Sequence, residues 1–336
     1  MNPVLERVVA GANLSVSDAE QAFARIVRGE ADVIEISALL IALRTKGETA
    51  EEVAGAAHAL LAAALPFPTP AYDVIDCCGT GGDGMGTLNV SSAVAFTLAS
   101  LGVPVAKHGN RAVSSQSGST DVLKALGIQC EQTPERARAL LDQYQLCFLH
   151  APQYHPGVRH AMPVRQALKL RTLFNLLGPI INPARANLRL MGVYDSKYLM
   201  LVAETLRAIG VKRAIVVNGG VDEFAVHGPS QYVELREGVL TQDTLTPEQV
   251  GLQRFPIEAL RGGDAVANAA EIEAVLAGAG RPAFHAAIAL NAGAGLYVAG
   301  KVGTIAAGVE QASAALRDGV PLARLRDLQR ESAYVG

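Results

Sequence analysis

The chain has 336 residues, 50% hydrophobic and 18% charged, with a formal net charge of −3, which is material for about two domains and a sizeable core. That charge balance lacks the strongly basic footprint of a nucleic-acid-binding protein. The longest apolar run, residues 59–65, falls far short of the roughly 20 residues that span a bilayer, and MNPVLERVV carries no basic segment ahead of an apolar core, so neither a membrane span nor an export signal is expected.

Taken in order, Ser17-x-x-Glu20 reads as a capping box ahead of Ala22, Phe23, Ile26 and Val27, with Gly29 as the stop. A second helix carries Ile36, Leu39, Leu40 and Leu43 on one face, and Thr49-x-x-Glu52 caps a third. Pro66, Pro68 and Pro70 then form a stiff linker, so residues 1–70 are expected to be a small all-helical unit. From Tyr72 onward short β-rich runs alternate with amphipathic helices, the pattern of an α/β domain over 71–336 with a mainly parallel sheet. The strand candidates are 74–78, 103–106, 129–130, 147–150, 189–194, 214–217 and 232–235. Residues 156–183 read as a helical insertion between strands, and Ala-rich helices (268–277, 283–298) close the core.

The informative stretch is Asp76–Gly127. One strand runs into a loop with Gly79, Gly81, Gly82, Gly84 and Gly86, after which Thr87-Leu88-Asn89 opens a helix bearing Ser91 and Ser92. A second strand ends in Lys107-His108-Gly109-Asn110-Arg111, followed by Ser114, Ser115, Ser117, Gly118, Ser119 and Thr120. Glycines let backbone approach an anion, and a helix N-terminus aims N–H dipoles at it. Most isolated glycine loops are ordinary turns, but two such strand ends in succession point to a ligand with more than one phosphate. Neither common nucleotide fingerprint fits. Gly79-x-Gly81-x-x-Gly84 has no acid between Gly84 and Lys107 to hold a ribose, and no Lys-Ser/Thr follows the glycines as a P-loop requires.

Asp222-Glu223, after the turn Asn218-Gly219-Gly220, supplies hard oxygen ligands suited to Mg2+ shared with a diphosphate; beside a polyphosphate site this reading outweighs an exposed acidic turn. Asp83 stands oddly inside an anion loop and is expected to face a hydroxyl, an amine or a metal-bound water. Arg165 and Arg171 lie six residues apart, on different helix faces: one fits a carboxylate clamp and the other a structural salt bridge, and spacing leaves the assignment open. His155 and His160 lack metal-ligand spacing and read as packing or surface residues. The four cysteines, Cys77, Cys78, Cys130 and Cys147, have no CxxC spacing; they read as small apolar residues of a reducing compartment, the cytoplasm.

GTGGDGMGTLNVSS, KHGNRAVSSQSGSTDVLKALG, PVRQALKLRTLFNLLGPIINPA and VDE, with ALRTKGET and NAGAGLYVAGK nearer the ends, together resemble the anthranilate phosphoribosyltransferases over essentially the whole chain. The resemblance implies a helical domain hinged to an α/β domain, a homodimer through the helical domains, and residues 156–183 packed on the N-terminal helices. It implies transfer of phosphoribose from phosphoribosyl pyrophosphate (PRPP) to anthranilate with Mg2+. At matching positions it implies PRPP contacts from Gly79, Gly82, Asp83, Thr87, Asn89, Val90, Ser91, Ser92, Lys107 and Ser119. It further implies anthranilate contacts from Gly79, His108, Asn110, Arg165 and Gly178, and metal ligation by Ser91, Asp222 and Glu223. The chain departs from the family pattern at Gln116, where a lysine is expected, and at Asn218, where a histidine is common. Two alternatives share the architecture: a pyrimidine nucleoside phosphorylase, which gives Asp222, Glu223 and Arg165 no clear role, and a non-catalytic nucleic-acid-binding relative, which the acidic charge disfavours.

Overall fold

The computed structural model describes residues 3–111 and 117–333. The N-terminal unit holds helices Pro3–Val9, Val16–Val27, Val33–Lys46 and Ala50–Ala62. The first of these carried no sequence signal. The cap expected at Ser17 is instead Ser15, which is extended (φ −67°, ψ 163°) and accepts from the Asp18 N–H, while Ser17 already lies inside the helix. The Thr49–Glu52 capping box is present, and Glu52 does more than cap. Its carboxylate, fully buried, accepts from Leu14 N (2.9 Å), Thr49 N (2.9 Å) and Lys46 Nζ (3.0 Å). With both oxygens engaged and a lysine as counter-charge, a buried charge is tolerated there.

The second unit is a seven-stranded sheet in the order β3-β2-β1-β4-β5-β6-β7. Its strands are β1 (Ile75–Gly79), β2 (Val105–Gly109), β3 (Leu146–His150), β4 (Leu188–Gly192), β5 (Arg213–Asn218), β6 (Ser230–Arg236) and β7 (Val239–Leu245). The first five are parallel; β6 and β7 pair antiparallel. β7 escaped the sequence reading because VLTQDTL is polar and mostly exposed. It forms through a two-residue hairpin turn in which Glu237 (φ 53°) and Gly238 (φ 76°) both take positive φ, matching the twist of the flanking strands. Gln129–Cys130, expected as a strand, is irregular chain: Gln129 N–H donates to Ser332 Oγ at 3.0 Å rather than to a ladder.

Two hydrophobic cores lie on opposite faces of the sheet, and strand alternation assigns residues between them. On β5, Ile215 and Val217 face helices Val90–Ser100 and Pro282–Val298, whereas Ala214 and Val216 belong with helix Leu199–Ala208 and the N-terminal helices. The insertion resolves into a 3-10 turn (Pro156–Ala161) and helices Met162–Leu168 and Phe174–Ile180. It packs on the N-terminal helices, with Phe174 meeting Phe23 at a ring distance of 5.9 Å. Helix Pro282–Val298 crosses helix Ile305–Arg317 so closely that a Cβ on Gly308 would lie 2.3 Å from the Gly293 carbonyl.

Candidate active site

Chain direction across the sheet reverses between β1 and β4, since β2 and β3 lie on one side of β1 and β5 on the other side of β4. The crevice at the carboxyl ends of strands flanking such a reversal is where open α/β sheets bind ligands. β1 and β4 end there on a registered glycine pair, Gly79 and Gly192. Asp222 sits on that pair: a Cβ on Gly79 would fall 2.0 Å from Asp222 Oδ2, and one on Gly192 would fall 1.5 Å from the Asp222 carbonyl oxygen. Asp222 Oδ2 accepts the Gly81 N–H at 2.7 Å and Glu223 Oε1 accepts the Ser91 N–H at 3.3 Å. The acidic turn is therefore held against both the glycine loop and the first turn of helix Val90–Ser100. Behind it, Asn291 of the NAGAGLY segment brackets Phe224, accepting its N–H and donating to its carbonyl, each at 3.0 Å.

Gly79, Ser91, Asp222, Glu223 and Asn291 line a small cavity. Burial, then the neighbouring Asp83 charge, pushes the Asp222 carboxyl up to about 6; burial, then Asp222, pushes Glu223 well above the usual carboxylate range. Both residues are partly exposed. Among the described residues no cluster of three or more His, Cys, Asp or Glu forms a metal cage. Two carboxylates that form no ion pair among the described residues fit Mg2+, which usually takes one or two carboxylates and completes its shell with water and substrate phosphate.

The neighbouring loop follows β2. Lys107 is buried and its Nζ donates to the Cys77 carbonyl at 2.8 Å. Ser119 Oγ donates to the Asn110 carbonyl at 3.2 Å, and Lys107, Gly109, Ser119, Thr120 and His150 line a second small cleft. Gly82, Asp83 and Thr87 stay on the glycine loop, where Asp83 Oδ1 accepts the Met85 N–H at 3.1 Å. Val90 and Ser92 are buried, and Asn89 is the N-cap residue. Ser114, Ser115 and Gln116 lie outside the described residues. The cysteine thiols are unpaired, with Cys77 and Cys130 pushed up to about 12 by burial.

A third wall is built from the insertion, and its supports were not evident in the sequence. Asp76 on β1 faces Arg189, its registered partner on β4, and both are buried. Asp76 accepts from Arg189 Nη1 (3.0 Å), Asn182 Nδ2 (2.7 Å) and the His108 N–H (3.3 Å). The same guanidinium donates to the Pro179 and Ile180 carbonyls at 3.1 and 3.4 Å. The end of helix Phe174–Ile180 is thereby pinned to the sheet beside His108, whose Nδ1–H donates to the Gly178 carbonyl at 3.0 Å. His155, expected as packing or surface, is buried here: its Nε2–H donates to the Ile181 carbonyl at 2.8 Å and its ring meets that of His108 edge-on at 5.2 Å.

Burial lowers both imidazoles, His108 well below its ordinary value and His155 to about 4. A histidine lowered from 6.5 to about 4 binds its proton more readily when unfolded, so it costs nothing above pH 6.5 and destabilises increasingly as pH falls towards 4. The full effect is roughly 3 kcal/mol. Urea midpoints are expected to fall over that window, and His155→Gln to flatten that part of the profile; an unchanged slope in the variant would assign the acid sensitivity elsewhere.

Arg165 is largely enclosed over the Phe174 ring, 5.6 Å from its centroid, and burial weighs against its charge. Among the described residues no carboxylate lies within ion-pair distance; its polar neighbour is Met162 Sδ at 3.8 Å. Arg171 is not the structural salt bridge allowed for in the sequence. It stacks over Tyr194, 4.1 Å from the ring centroid, and donates to the Gly82 carbonyl. Asn110 stays at the end of β2, its Oδ1 accepting the Arg111 N–H at 2.7 Å, and Gly178 has open space where a side chain would stand.

Residues 71–322 match the model of the glycosyl transferase family a/b domain, and residues 2–64 that of its helical bundle domain. An anthranilate phosphoribosyltransferase from Aeromonas salmonicida is 49% identical over 99% of this chain and 100% of its own length. The chain belongs to the anthranilate phosphoribosyltransferases. Another family member, from Sorangium cellulosum, is also 49% identical, over 97% of this chain and 94% of its own. The crystal structure of the anthranilate phosphoribosyltransferase from Thermus thermophilus superposes with a TM-score of 0.94 at 39% identity, covering 98% of this chain and 99% of that one. The Saccharomyces cerevisiae enzyme, solved in complex with PRPP and Mg, shares the fold at 24% identity, with a TM-score of 0.89 over 98% of this chain and 97% of that chain.

Proposed function

We propose that this chain transfers the phosphoribosyl group of PRPP to the amine of anthranilate, releasing pyrophosphate. The observation that carries the reading is the half-buried Asp222–Glu223 pair, held against the glycine loop and a helix N-terminus at the switch point of the sheet. A nucleoside phosphorylase has no use for that pair, nor for an arginine left without a carboxylate.

In this reading the glycine-loop residues Gly79, Gly82, Asp83 and Thr87, the helix start at Asn89, Val90, Ser91 and Ser92, and Lys107 and Ser119 bind PRPP. Ser91, Asp222 and Glu223 hold Mg2+, which when bound neutralises charge on the departing pyrophosphate. The C1–O bond to pyrophosphate breaks as the C1–N bond to the amine forms, through an oxocarbenium-like state. Lys107 and the helix N–H groups receive the leaving-group charge, and binding both substrates in one crevice keeps the amine in line with C1. Gly79, His108, Asn110 and Gly178 shape the anthranilate path, and Arg165 faces its carboxylate. An aromatic amine attacks as the neutral base, and no side chain is assigned as a general base.

Anthranilate fluorescence tests the reading: purified protein with PRPP and Mg2+ is expected to consume the signal, and omission of any component to abolish the loss. A folded protein that leaves the signal intact would overturn it. Arg165→Ala is expected to raise KM for anthranilate about tenfold or more, with a much smaller change in KM for PRPP; equal changes in both would make Arg165 structural.

The two units are read as domains, 1–70 with the insertion packed on it and 71–336, hinged around the substrates. Val9, Val33 and Ile34, exposed by 70%, 53% and 77% on the N-terminal helices, support a homodimer through that face, and unpaired cysteines suit the cytoplasm. No helix is long and apolar enough to cross a membrane among the described residues.

A further inference from the structure

The glycine loop and the loop after β2 come from different strand ends and meet directly where Asn89 Nδ2 donates to the Ser117 carbonyl at 3.4 Å and Ser117 Oγ to Asn89 Oδ1 at 3.3 Å. A further connection is made from outside, by residues 260–268. Leu88 N–H donates to the Leu260 carbonyl at 2.9 Å and Gly262 N–H to the Gly86 carbonyl at 2.8 Å, so this segment runs antiparallel along the glycine loop, with Thr87 and Arg261 as its bridge. Asn268, buried on helix Ala265–Leu276, joins the segment to both loops. Its Oδ1 accepts the Gly263 N–H at 2.7 Å. A backbone N–H can only donate, so that bond fixes which way the amide points. The Asn268 NH2 is then left to donate to Asn89 Oδ1 at 2.9 Å and Ser117 Oγ at 2.8 Å. These two bonds orient in turn the Asn89 side chain, at the start of the phosphate-facing helix, and the Ser117 side chain on the second loop. Gly262 must approach closely for this to occur: a Cβ there would lie 2.9 Å from the Thr87 carbonyl oxygen and 3.1 Å from the Asn268 amide.

We propose that Asn268 is a positioning residue for the phosphoribosyl site, clamping the glycine loop and the loop after β2 in the arrangement that receives PRPP, with Gly262 as the close contact that seats the clamp. This rests on the assignment of those loops to PRPP. Asn268 touches neither substrate; it acts through Asn89, Ser117 and the Gly86–Leu88 backbone.

The test is steady-state kinetics and PRPP calorimetry with Mg2+ on wild type, Asn268→Ala, Asn268→Leu and Gly262→Ala. Asn268→Leu fills the side-chain volume without the donors, which separates lost hydrogen bonds from an unfilled cavity. All three variants are expected to raise KM and Kd for PRPP about tenfold, with KM for anthranilate within twofold and melting temperatures within a few degrees of wild type. Hydrogen exchange in peptides covering 79–90 and 117–120 is expected to speed up in each variant, independently of turnover. Unchanged PRPP affinity, or equal losses for both substrates with a large drop in melting temperature, would overturn the proposal. Wild type that fails to bind PRPP would instead overturn the assignment of the loops, so the two failures are distinguishable.

Discussion

Asp222→Asn combined with Glu223→Gln is expected to lower kcat/KM for PRPP by about a hundredfold or more, the scale seen when preorganised charge at a reacting centre is removed, and to abolish the response to magnesium. The unliganded variant is expected to be at least as stable as wild type. Burial, with repulsion from Asp83 at Asp222 and from Asp222 at Glu223, already holds both carboxyls above their ordinary range, so neutral side chains of the same shape relieve a cost of the ligand-free state, and an amide oxygen at 222 still accepts the Gly81 N–H. Magnesium with PRPP should raise the melting temperature of wild type and leave the variant unmoved. Calorimetric melting with and without magnesium separates these effects; a variant that keeps magnesium-dependent turnover would remove the metal assignment. The sign of the pH dependence follows from the same groups. Asp222, raised to about 6, is protonated below that pH, so magnesium affinity should weaken as pH falls through it and recover above it.

The second large effect concerns stability. Asp76→Ala is expected to cost about 3–5 kcal/mol, because it strands the buried Arg189 guanidinium without its counter-charge, and a loss of that size is a large share of an ordinary domain's 5–15 kcal/mol. Removing both charges, Asp76→Leu with Arg189→Met, should recover part of it, giving a coupling energy in a double-mutant cycle that two independent residues would not show. Function is expected to suffer even where folding is rescued. Arg189 also holds the Pro179 and Ile180 carbonyls, and the turn it holds carries the Gly178 carbonyl bonded to His108, so KM for anthranilate should rise in the double variant. Urea denaturation and anthranilate kinetics check the two claims separately; a strictly additive cycle would mean that the pair is not coupled.

Much of this protein was legible in its residues. Short apolar runs gave the parallel strands to within a few residues, because a strand buried on both faces is apolar along most of its length. Glycines and hydroxyls after two strands marked the two loops proposed to bind phosphate, because such residues let backbone surround an anion. Asp222 and Glu223 stood out as adjacent acids at a strand end. What the sequence left open depends on which strands become neighbours. Asp76 and Arg189 are 113 residues apart, and nothing local marks them as partners until β1 and β4 pair. Gly192 reads as an ordinary strand-end glycine until Asp222 folds onto it. Arg171 reads as a candidate ion-pair residue until Tyr194 and the Gly82 carbonyl meet it. Asn268 sits unremarked in an Ala-rich helix until its amide reaches two loops from other parts of the chain. The sequence by itself determined the strands, the glycine- and hydroxyl-rich loops and the acidic pair, since each is written in local composition. Only the tertiary structure decided how those parts are held in register, because that rests on buried polar contacts between residues far apart along the chain.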